Sequence, residues 1–408
     1  MSAFWHPFSD MNAVTQNGEL VIVRGEGSWV WDAAGKKYFD GGGALWYCNI
    51  GHGREAVAKA MYDQACQIAS YSNFGDISTP AASAAADLVA SLAPVPDSRV
   101  FFTSGGSDAV DTALKMVRRF WTLKDQPHKK IVIVRENGYH GMHTGGTSLA
   151  GIPDNNKGYN ELVTDVVKVP WDDSDELIRV IDSIGEDNIA AFYCEPVMGA
   201  GGALFAPEMY LQTARKACLE RNILFVADEV ITGFGRTGEW FASIRYDLQP
   251  DLMLVAKGIT SGYAPLGAVV AAPSVWKTFY APETGVWRHG YTYSGHATAT
   301  AAALANIKIM MDEDLPGNVR RLEKTFSDAV QTLSDIPAVD HVRSGVGFLG
   351  GIQLKEPLRA MEYNARIREA GLLTRAIVGG AIQISPALTT TEEEIHQMVE
   401  IYRAGLTD

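Results

Sequence analysis

The feature that most constrains the fold of this chain is an alternation of short apolar runs with amphipathic helical segments through its middle. The apolar runs have the length and composition of buried strands, and they cover residues 99–102, 131–134, 189–194, 223–227, 252–255 and 267–271. The helical segments between them include 108–121 and 208–221. Because strands joined by crossover helices form parallel sheets, the pattern predicts an α/β fold with a mostly parallel central sheet flanked by helices.

The ends of the chain have a different texture from its middle. A helical stretch from 297 to 333 leads to the glycine-rich strand candidates VGFLGGIQL and AIQISPAL, and then to a helix opened by the capping residues Thr390 and Thr391. Near the start, SWVWDAAGKKYFD predicts a hairpin that turns at Ala34 and Gly35. We expect a large domain at 46–300, a smaller α+β domain at 301–408, and an N-terminal segment, 1–45, that packs with the small domain.

Composition limits the classes of partner and the compartment. The 408 residues are 47% hydrophobic, which is enough for a large core, and the net charge of -13 argues against nucleic acid or an anionic membrane as a partner. The four cysteines lack CxxC spacing, so we expect buried reduced thiols rather than disulfides or a zinc site. The first residues lack the pattern of a signal peptide, and no apolar run reaches 18 residues. These observations predict a soluble cytoplasmic protein.

Three ionisable residues directly follow strand candidates. Glu195 follows IAAFYC, Asp228 follows ILFVA, and Lys257 follows DLMLVA. One such residue by itself is typical of a helix cap or a solvated strand end. Since ligands of parallel α/β sheets gather at the carboxyl ends of the strands, three in succession favour a shared pocket.

The surroundings of Lys257 favour a reactive amine over a solvated charge. Gly258 and Gly262 add little bulk to the turn that follows the apolar run. A desolvated lysine has a lowered pKa and forms Schiff bases with aldehydes. The commonest aldehyde held by proteins is pyridoxal 5'-phosphate, which needs a carboxylate at its ring nitrogen and an anion site for its phosphate. Asp228 meets the first need.

The segment TSGGSDAVDTALKM is the candidate phosphate site. It places Gly105, Gly106 and Ser107 just before a helix, where free backbone N–H groups and the helix dipole attract anions. Glycines of this kind also mark ordinary turns. Asp108 and Asp111 would repel a phosphate if they pointed at it, and they are equally explained as residues that complement the helix dipole.

The segment NGYHGMHTGG follows another strand candidate and supplies an aromatic cover for the cofactor ring. Tyr139 is the candidate for stacking, and His140 beside it is a further candidate for binding the cofactor. The spacing of His140 and His143 raises the question of a metal site. Because no carboxylate ligand pattern accompanies the two histidines, we expect no metal.

At this point the sequence resembles a known family. The motifs that carry the resemblance are TSGGSDAVDTALKMVRRFW, NGYHG, EPVMGAGG, FVADEVITGFGRTGEWF, AKGITSGYAPLGAV and HGYTYSGHATATAAAL. They are similar to those of the class III, fold-type I pyridoxal-phosphate aminotransferases, most of all the amine:pyruvate (omega) branch. The match spans nearly the whole chain, and its most specific part is the occurrence of DEVITGFGRTG and AKGITSGY in that order.

The resemblance implies roles for the residues around the cofactor. Lys257 would carry the cofactor and Asp228 would bind its ring nitrogen. Val230 and Tyr139 would lie on opposite ring faces, and Glu195 would lie near the phenolic side and orient Asp228. The resemblance also implies a homodimer, or a tetramer built from dimers, with the active site at the subunit interface.

Three further positions take implied roles in the same way. Thr292 would reach the phosphate of the other subunit, where Gly106 and Ser107 already hold it. Arg375 lies where related enzymes keep a mobile arginine for a substrate carboxylate, although by itself it is typical of a surface charge. Trp46 is interpreted first as a core aromatic residue and second as a wall of the substrate pocket.

Two positions depart from the family pattern. Gly105 replaces a frequent serine in the phosphate loop, and Ala297 replaces the proline that usually follows GH. Because backbone N–H groups survive both changes, we expect phosphate binding to be retained.

The function implied is a ping-pong transfer of an amino group from an amine or omega-amino acid donor to pyruvate, a keto acid. The nearest alternative is the diaminopelargonate aminotransferase of biotin synthesis, which usually has a paired aromatic motif where this chain has Leu45 before Trp46. An aminomutase or a decarboxylase fits less well, because Arg375 suits an acceptor with a carboxylate. A regulatory module that senses the cofactor without turnover would differ in class, and the lack of a basic DNA-binding segment argues against it.

Overall fold

The computed structural model describes residues 3–407, and within that part the chain forms strands and helices in alternation. The strands are β1 Ile22–Glu26, β2 Trp29–Asp32, β3 Lys37–Asp40, β4 Arg99–Thr103, β5 Ile131–Arg135, β6 Val166–Val169, β7 Ile189–Cys194, β8 Val197–Met198, β9 Leu204–Phe205, β10 Leu224–Asp228, β11 Leu252–Val255, β12 Gly267–Ala271, β13 Val339–Val346, β14 Leu349–Leu354, β15 Leu372–Leu373, β16 Ala376–Ile377 and β17 Ala381–Ile384.

The helices are α1 Met11–Asn17, α2 Gly43–Trp46, α3 Glu55–Ile68, α4 Pro80–Leu92, α5 Gly106–Leu123, α6 Thr144–Leu149, α7 Pro153–Asn156, α8 Ser174–Ile184, α9 Tyr210–Glu220, α10 Ala242–Arg245, α11 Pro273–Phe279, α12 Ala297–Asp312, α13 Leu315–Gln331, α14 Ala360–Glu369 and α15 Glu392–Leu406. Within the described residues, none of these helices has the length and apolar content needed to cross a membrane.

A seven-stranded sheet forms the centre of the molecule, in the order β4-β12-β11-β10-β7-β5-β6. All neighbours are parallel except β12, which is antiparallel to both β11 and β4. The predicted mostly parallel sheet is therefore confirmed, with all six predicted strands present. β6 escaped prediction because it is an edge strand whose exposed Lys168 interrupts its apolar pattern.

Helices cover both faces of this sheet, which explains the long apolar runs of its central strands. Every residue of β7, β10, β11 and β12 is buried. On one face, α5 packs Val110, Leu114 and Val117 against the strands. On the other face, α8 and α9 bury Leu177 and Leu211. The six parallel strands have their carboxyl ends at the same edge of the sheet, and helices pack on both faces of that sheet.

The two ends of the chain meet in a second sheet, which has the order β1-β2-β3-β15. β2 and β3 form the predicted hairpin, and Asp32 Oδ1 accepts hydrogen bonds from the Ala34 and Lys36 N–H groups at 2.9 Å each. β3 then pairs in parallel with β15, so the N-terminal strands join residues from the far end of the chain. The other C-terminal strands form a sheet in the order β13-β14-β17-β16. The exact domain boundaries stay a prediction.

Two local expectations need correction. The predicted helical stretch from 297 to 333 is broken, because Asp314 adopts a left-handed φ of 45° and its side chain caps α13. Pro316 lies in the first turn of α13, where its missing N–H costs no hydrogen bond. Of the four free cysteines, Cys66 is exposed and not buried, since most of α3 faces outward.

The turn after β10 is held by Glu229, whose side chain is fully buried. Its carboxylate accepts hydrogen bonds from the Ala242 N–H at 3.0 Å, from the Ser243 N–H at 2.6 Å and from the Thr232 hydroxyl. Because a buried carboxylate is tolerated only when it is fully hydrogen-bonded, these contacts tie the residue after Asp228 firmly to the start of α10.

We expect Glu229→Ala to destabilise the protein by about 3 kcal/mol, because it leaves two buried N–H groups and a hydroxyl without their acceptor. The midpoint of thermal unfolding should fall by several degrees. Glu400→Ala, on the exposed face of α15, is the matched control and should leave the midpoint within a degree or so. Equal midpoints for the two variants would contradict the anchoring role of Glu229.

Candidate active site

A cavity of about 480 Å³ lies at the carboxyl edge of the central sheet. Eight of the twelve residues predicted for the site line it: Gly105, Gly106, Ser107, Tyr139, Glu195, Asp228, Val230 and Lys257. They converge because β7, β10 and β11 are neighbours in the sheet and end at the same edge. The remaining four, His140, Trp46, Arg375 and Thr292, lie outside this lining.

Lys257 is held in an unusual backbone conformation. One residue, Ala256, separates it from the end of β11. Its backbone has a left-handed φ of 47°, which is unfavourable for a residue with a side chain by about 1–2 kcal/mol. The turn is confined, because a Cβ at Gly258 would lie only 2.5 Å from Asn49 Nδ2. Such strain at the wall of a cavity is typical of functional positions.

The pKa of Lys257 is lowered to about 8, first of all because burial disfavours the ammonium. The carboxylates of Asp228 and Glu195 oppose this shift, and the charge of Arg375 adds to it. The neutral amine is therefore well populated near pH 8, which is the form that attacks a carbonyl.

Asp228 is the last residue of β10 and is fixed on both of its oxygens. Oδ2 accepts a hydrogen bond from His140 Nδ1 at 2.8 Å, and Oδ1 accepts one from the Val230 N–H at 3.2 Å. The imidazole of His140 is only 1% exposed and does not line the cavity. His140, which the sequence placed at the cofactor itself, therefore lies behind Asp228.

Glu195 directly follows β7 and acts on its surroundings through backbone contacts. Its carboxylate accepts hydrogen bonds from the Tyr139 N–H at 2.8 Å and from the Gly199 N–H at 3.2 Å. Burial raises the pKa of Glu195, and the charge of Asp228 adds to this. The contact with Tyr139 fixes the backbone that presents the Tyr139 ring to the cavity.

The turn at 104–107 leads into α5, an 18-residue helix whose N-terminus faces the cavity. Asp108 accepts a hydrogen bond from the Ser104 N–H at 3.0 Å, and Asp111 accepts one from the Gly146 N–H at 2.8 Å. Both acidic side chains thus accept hydrogen bonds from backbone N–H groups. Asp108 lies in the first turn of α5, where its charge complements the helix dipole, although neither side chain caps that helix.

Close packing shapes the same turn. A Cβ at Gly106 would lie 3.1 Å from Val230 Cγ1, so glycine lets the turn approach the valine. Ser107 Oγ accepts a hydrogen bond from the Met142 N–H at 3.1 Å. A Cβ at Gly105 would meet no atom within 4 Å, so the serine common in the family would fit there.

Trp46 and Arg375 lie beside the cavity as a pair. The guanidinium carbon of Arg375 lies 5.2 Å from the centre of the Trp46 ring, a distance typical of a cation–π contact. Trp46 is buried and packs with Ile231, which does line the cavity. Arg375 is half-buried, and burial lowers its pKa. The pair is therefore placed to form one flank of the cavity.

Other residues of the site were missed or lie apart. Tyr47 lines the cavity, and its ring packs against Gly262 so closely that a Cβ there would lie 2.4 Å from Tyr47 Cδ2. The sequence signal for it was weak, since only the neighbouring Trp46 and three glycines pointed to the segment. Thr292 is exposed and does not line the cavity of its own chain.

The two histidines considered as metal ligands face different carboxylates. His143 Nε2 lies 3.5 Å from Asp108 Oδ1, whereas His140 binds Asp228. Among the described residues, Asp40, Cys48 and His52 are close enough to share an ion. His52 Nε2 already lies 2.8 Å from Asp40 Oδ2, so this group is accounted for by a hydrogen-bonded pair beside a buried thiol.

We expect the amine of Lys257 to titrate near pH 8 in the ligand-free protein. Its acylation by a small amine-reactive reagent should therefore rise through pH 8, with exposed Lys124 as the reference lysine in the same digest. Asp228→Asn should move the midpoint down, because a stabilising carboxylate is lost, and Arg375→Gln should move it up, because a repelling charge is lost. Peptide mass spectrometry after pulse labelling measures both midpoints. Shifts of the same sign would contradict this electrostatic account.

Comparison with known proteins identifies the family. The family model for class-III aminotransferases matches residues 11–406. The chain is 37% identical to a putrescine–pyruvate aminotransferase of Pseudomonas aeruginosa, over 98% of this chain and 93% of that protein. It is 34% identical to an omega-amino acid–pyruvate aminotransferase of Pseudomonas putida, over 98% of this chain and 94% of that protein.

A solved structure agrees with this identification. The omega transaminase from Pseudomonas jessenii in complex with PMP superposes with a TM-score of 0.94 at 33% identity, covering 99% of this chain and 95% of that chain. The family match and the shared fold together cover nearly every described residue. The chain therefore belongs to the class-III aminotransferases, enzymes that transfer amino groups with pyridoxal 5'-phosphate.

Proposed function

We propose that this aminotransferase moves an amino group from an amine or omega-amino acid to pyruvate, with Lys257 as the reacting amine. The observation that carries the proposal is the amine of Lys257, with a pKa lowered to about 8, in a cavity that it shares with Asp228 and Glu195. Relatives named for putrescine, omega-amino acids and beta-alanine, all with pyruvate, support the choice of substrates.

The residues present fit the cofactor of the family. The cavity of about 480 Å³ is within the range of small-molecule sites, and the backbone of the turn at 104–107 offers an anion site at a helix N-terminus. Val230 and Tyr139 line the same cavity as that turn and Lys257. When bound, the cofactor supplies a carbonyl that condenses with amines and a ring that withdraws electrons.

Within this site, Lys257 would move the proton. An amine with a pKa near 8 can accept a proton from the substrate carbon and return it to a neighbouring carbon, because both protonation states are well populated near pH 8. Asp228 would hold a proton on the ring nitrogen of the cofactor. His140 supports this role, since its hydrogen bond orients the carboxylate of Asp228 toward the cavity.

The flank formed by Trp46 and Arg375 would bind the substrates. A guanidinium binds a carboxylate through two parallel hydrogen bonds, which suits pyruvate. A donor amine without a carboxylate requires the charge to withdraw, and the Trp46 ring offers a surface on which Arg375 can rest. One pocket would thus accept both partners of a ping-pong reaction.

We further propose that the protein works as a homodimer. Thr292 is exposed and does not line the cavity of its own chain, which fits a contact with the phosphate in the other subunit. Large apolar side chains are also exposed on the single chain, including Trp5, Phe8, Tyr62, Tyr71 and Phe74. Exposed apolar residues in this number are typical of a surface that another chain covers.

The reaction is tested by incubating the protein with pyruvate and a panel of donors, with alanine formation as the measurement. We expect turnover with 1-phenylethylamine, putrescine or beta-alanine, and loss of turnover and of the visible absorption of the bound cofactor in Lys257→Ala. Lys124→Ala, an exposed lysine, is the control and should retain both. Activity in Lys257→Ala would refute the assignment, and a preference for S-adenosylmethionine as donor would favour the diaminopelargonate reaction.

Arg375→Gln should raise the KM for pyruvate about 10- to 100-fold, because a charge-assisted bidentate contact contributes about 1.5–3 kcal/mol. The KM for 1-phenylethylamine, which has no carboxylate, should change little. Arg368→Gln, an exposed arginine on α14, serves as the control. Equal effects on both substrates would show that Arg375 does not bind the carboxylate.

A further inference from the structure

The loop at 285–296, between α11 and α12, is fastened to the phosphate-binding helix by a chain of hydrogen bonds. Lys115 Nζ donates to His289 Nδ1 at 2.9 Å, which leaves the ring proton on Nε2. His289 Nε2 then donates to Thr112 Oγ1 at 2.9 Å. Two residues of α5 therefore form hydrogen bonds with the two ring nitrogens of His289.

The chain of hydrogen bonds continues to the first turn of α5. The Thr112 hydroxyl lies 3.2 Å from the Tyr291 hydroxyl, to which it can donate, and Tyr291 OH donates to the Asp108 carbonyl at 3.2 Å. Thr112 is fully buried, so its hydroxyl depends on these loop residues for partners. With a neutral His289, every donor in the chain finds an acceptor.

The aromatic rings of Phe101 and Trp287 also pack against His289. The His289 ring stacks on Phe101 with centres 5.6 Å apart and planes 17° apart, and the Trp287 ring lies 4.8 Å away. Phe101 belongs to β4, the strand that leads directly into the turn at 104–107. Burial lowers the pKa of His289 to about 4, and the charge of Lys115 adds to this, so the ring is neutral at physiological pH.

This anchor lies immediately before Thr292. The Ser294 N–H donates to the Tyr291 carbonyl at 3.0 Å, and the Tyr291 N–H donates to Ser294 Oγ at 3.2 Å, which closes a tight turn over 291–294. Thr292 lies exposed within that turn. Its position is therefore set by Tyr291, which His289 and Thr112 hold against α5.

We propose that His289 is a positioning residue for cofactor binding. It holds the turn over 291–294 against α5 of its own subunit, and this positions Thr292 to contact the phosphate bound in the other subunit. The inference rests on the proposed function, in which Thr292 contacts the phosphate across the dimer. His289 itself touches no cofactor and acts only through the loop.

The test is the dissociation constant of pyridoxal 5'-phosphate, measured on the holoenzyme by equilibrium dialysis. His289→Phe keeps the ring stacking and removes both hydrogen bonds, and it should weaken cofactor binding about tenfold, as should Thr292→Ala. Because both act on one contact, the double variant should bind no more weakly than Thr292→Ala alone. His289→Gln retains a donor that can reach Thr112 and should restore most of the affinity. His128→Phe, an exposed histidine, is the control.

The outcomes separate this inference from the proposal on which it rests. Additive losses in the double variant, an unchanged constant in His289→Phe, or equal losses in His289→Phe and His289→Gln would overturn the positioning role. If His289→Phe fails to fold, Lys115→Met on the exposed face of α5 should still weaken binding, and an unchanged constant there would overturn it. An unchanged constant in Thr292→Ala would refute the contact across subunits and this inference with it, but not the role of Lys257.

Discussion

The site depends on holding the amine of Lys257 inside a cavity that it shares with two carboxylates. Burial by itself would favour a neutral amine, and the carboxylates of Asp228 and Glu195 by themselves would favour the ammonium. Their opposition leaves the pKa of Lys257 about 8, where the amine can exchange protons in either direction. The left-handed backbone of Lys257 shows that the surrounding fold maintains this placement against its local cost.

The acidic residues around the cavity illustrate how a site for an anionic cofactor can contain so many carboxylates. Asp108, Asp111 and Glu195 accept hydrogen bonds from the backbone N–H groups of Ser104, Gly146 and Tyr139. Asp228 is bound by a histidine behind it, and Glu229 holds the turn after β10. Most of these carboxylates thus hold backbone segments in place through hydrogen bonds. The N-terminus of α5 remains available for a phosphate.

Helix α5 links the site to the rest of the molecule. α5 begins at the turn proposed to bind the phosphate, packs its apolar face on the central sheet, and binds the loop that carries Thr292 through Thr112 and Lys115. One helix therefore connects the sheet edge, the cofactor site and the surface proposed to face a second subunit.

The sequence by itself determined six of the seven strands of the central sheet and the residues that end them, because apolar periodicity is local and parallel strands must end together. It could not place His140 behind Asp228, bring Tyr47 against Gly262, or break the long helix at Asp314. The resemblance to a family named roles for Trp46 and Arg375, but only the folded chain stacks one upon the other. Such contacts join segments that are far apart in the chain. Their geometry depends on how those segments pack in three dimensions, and local residue patterns contain no information about that packing.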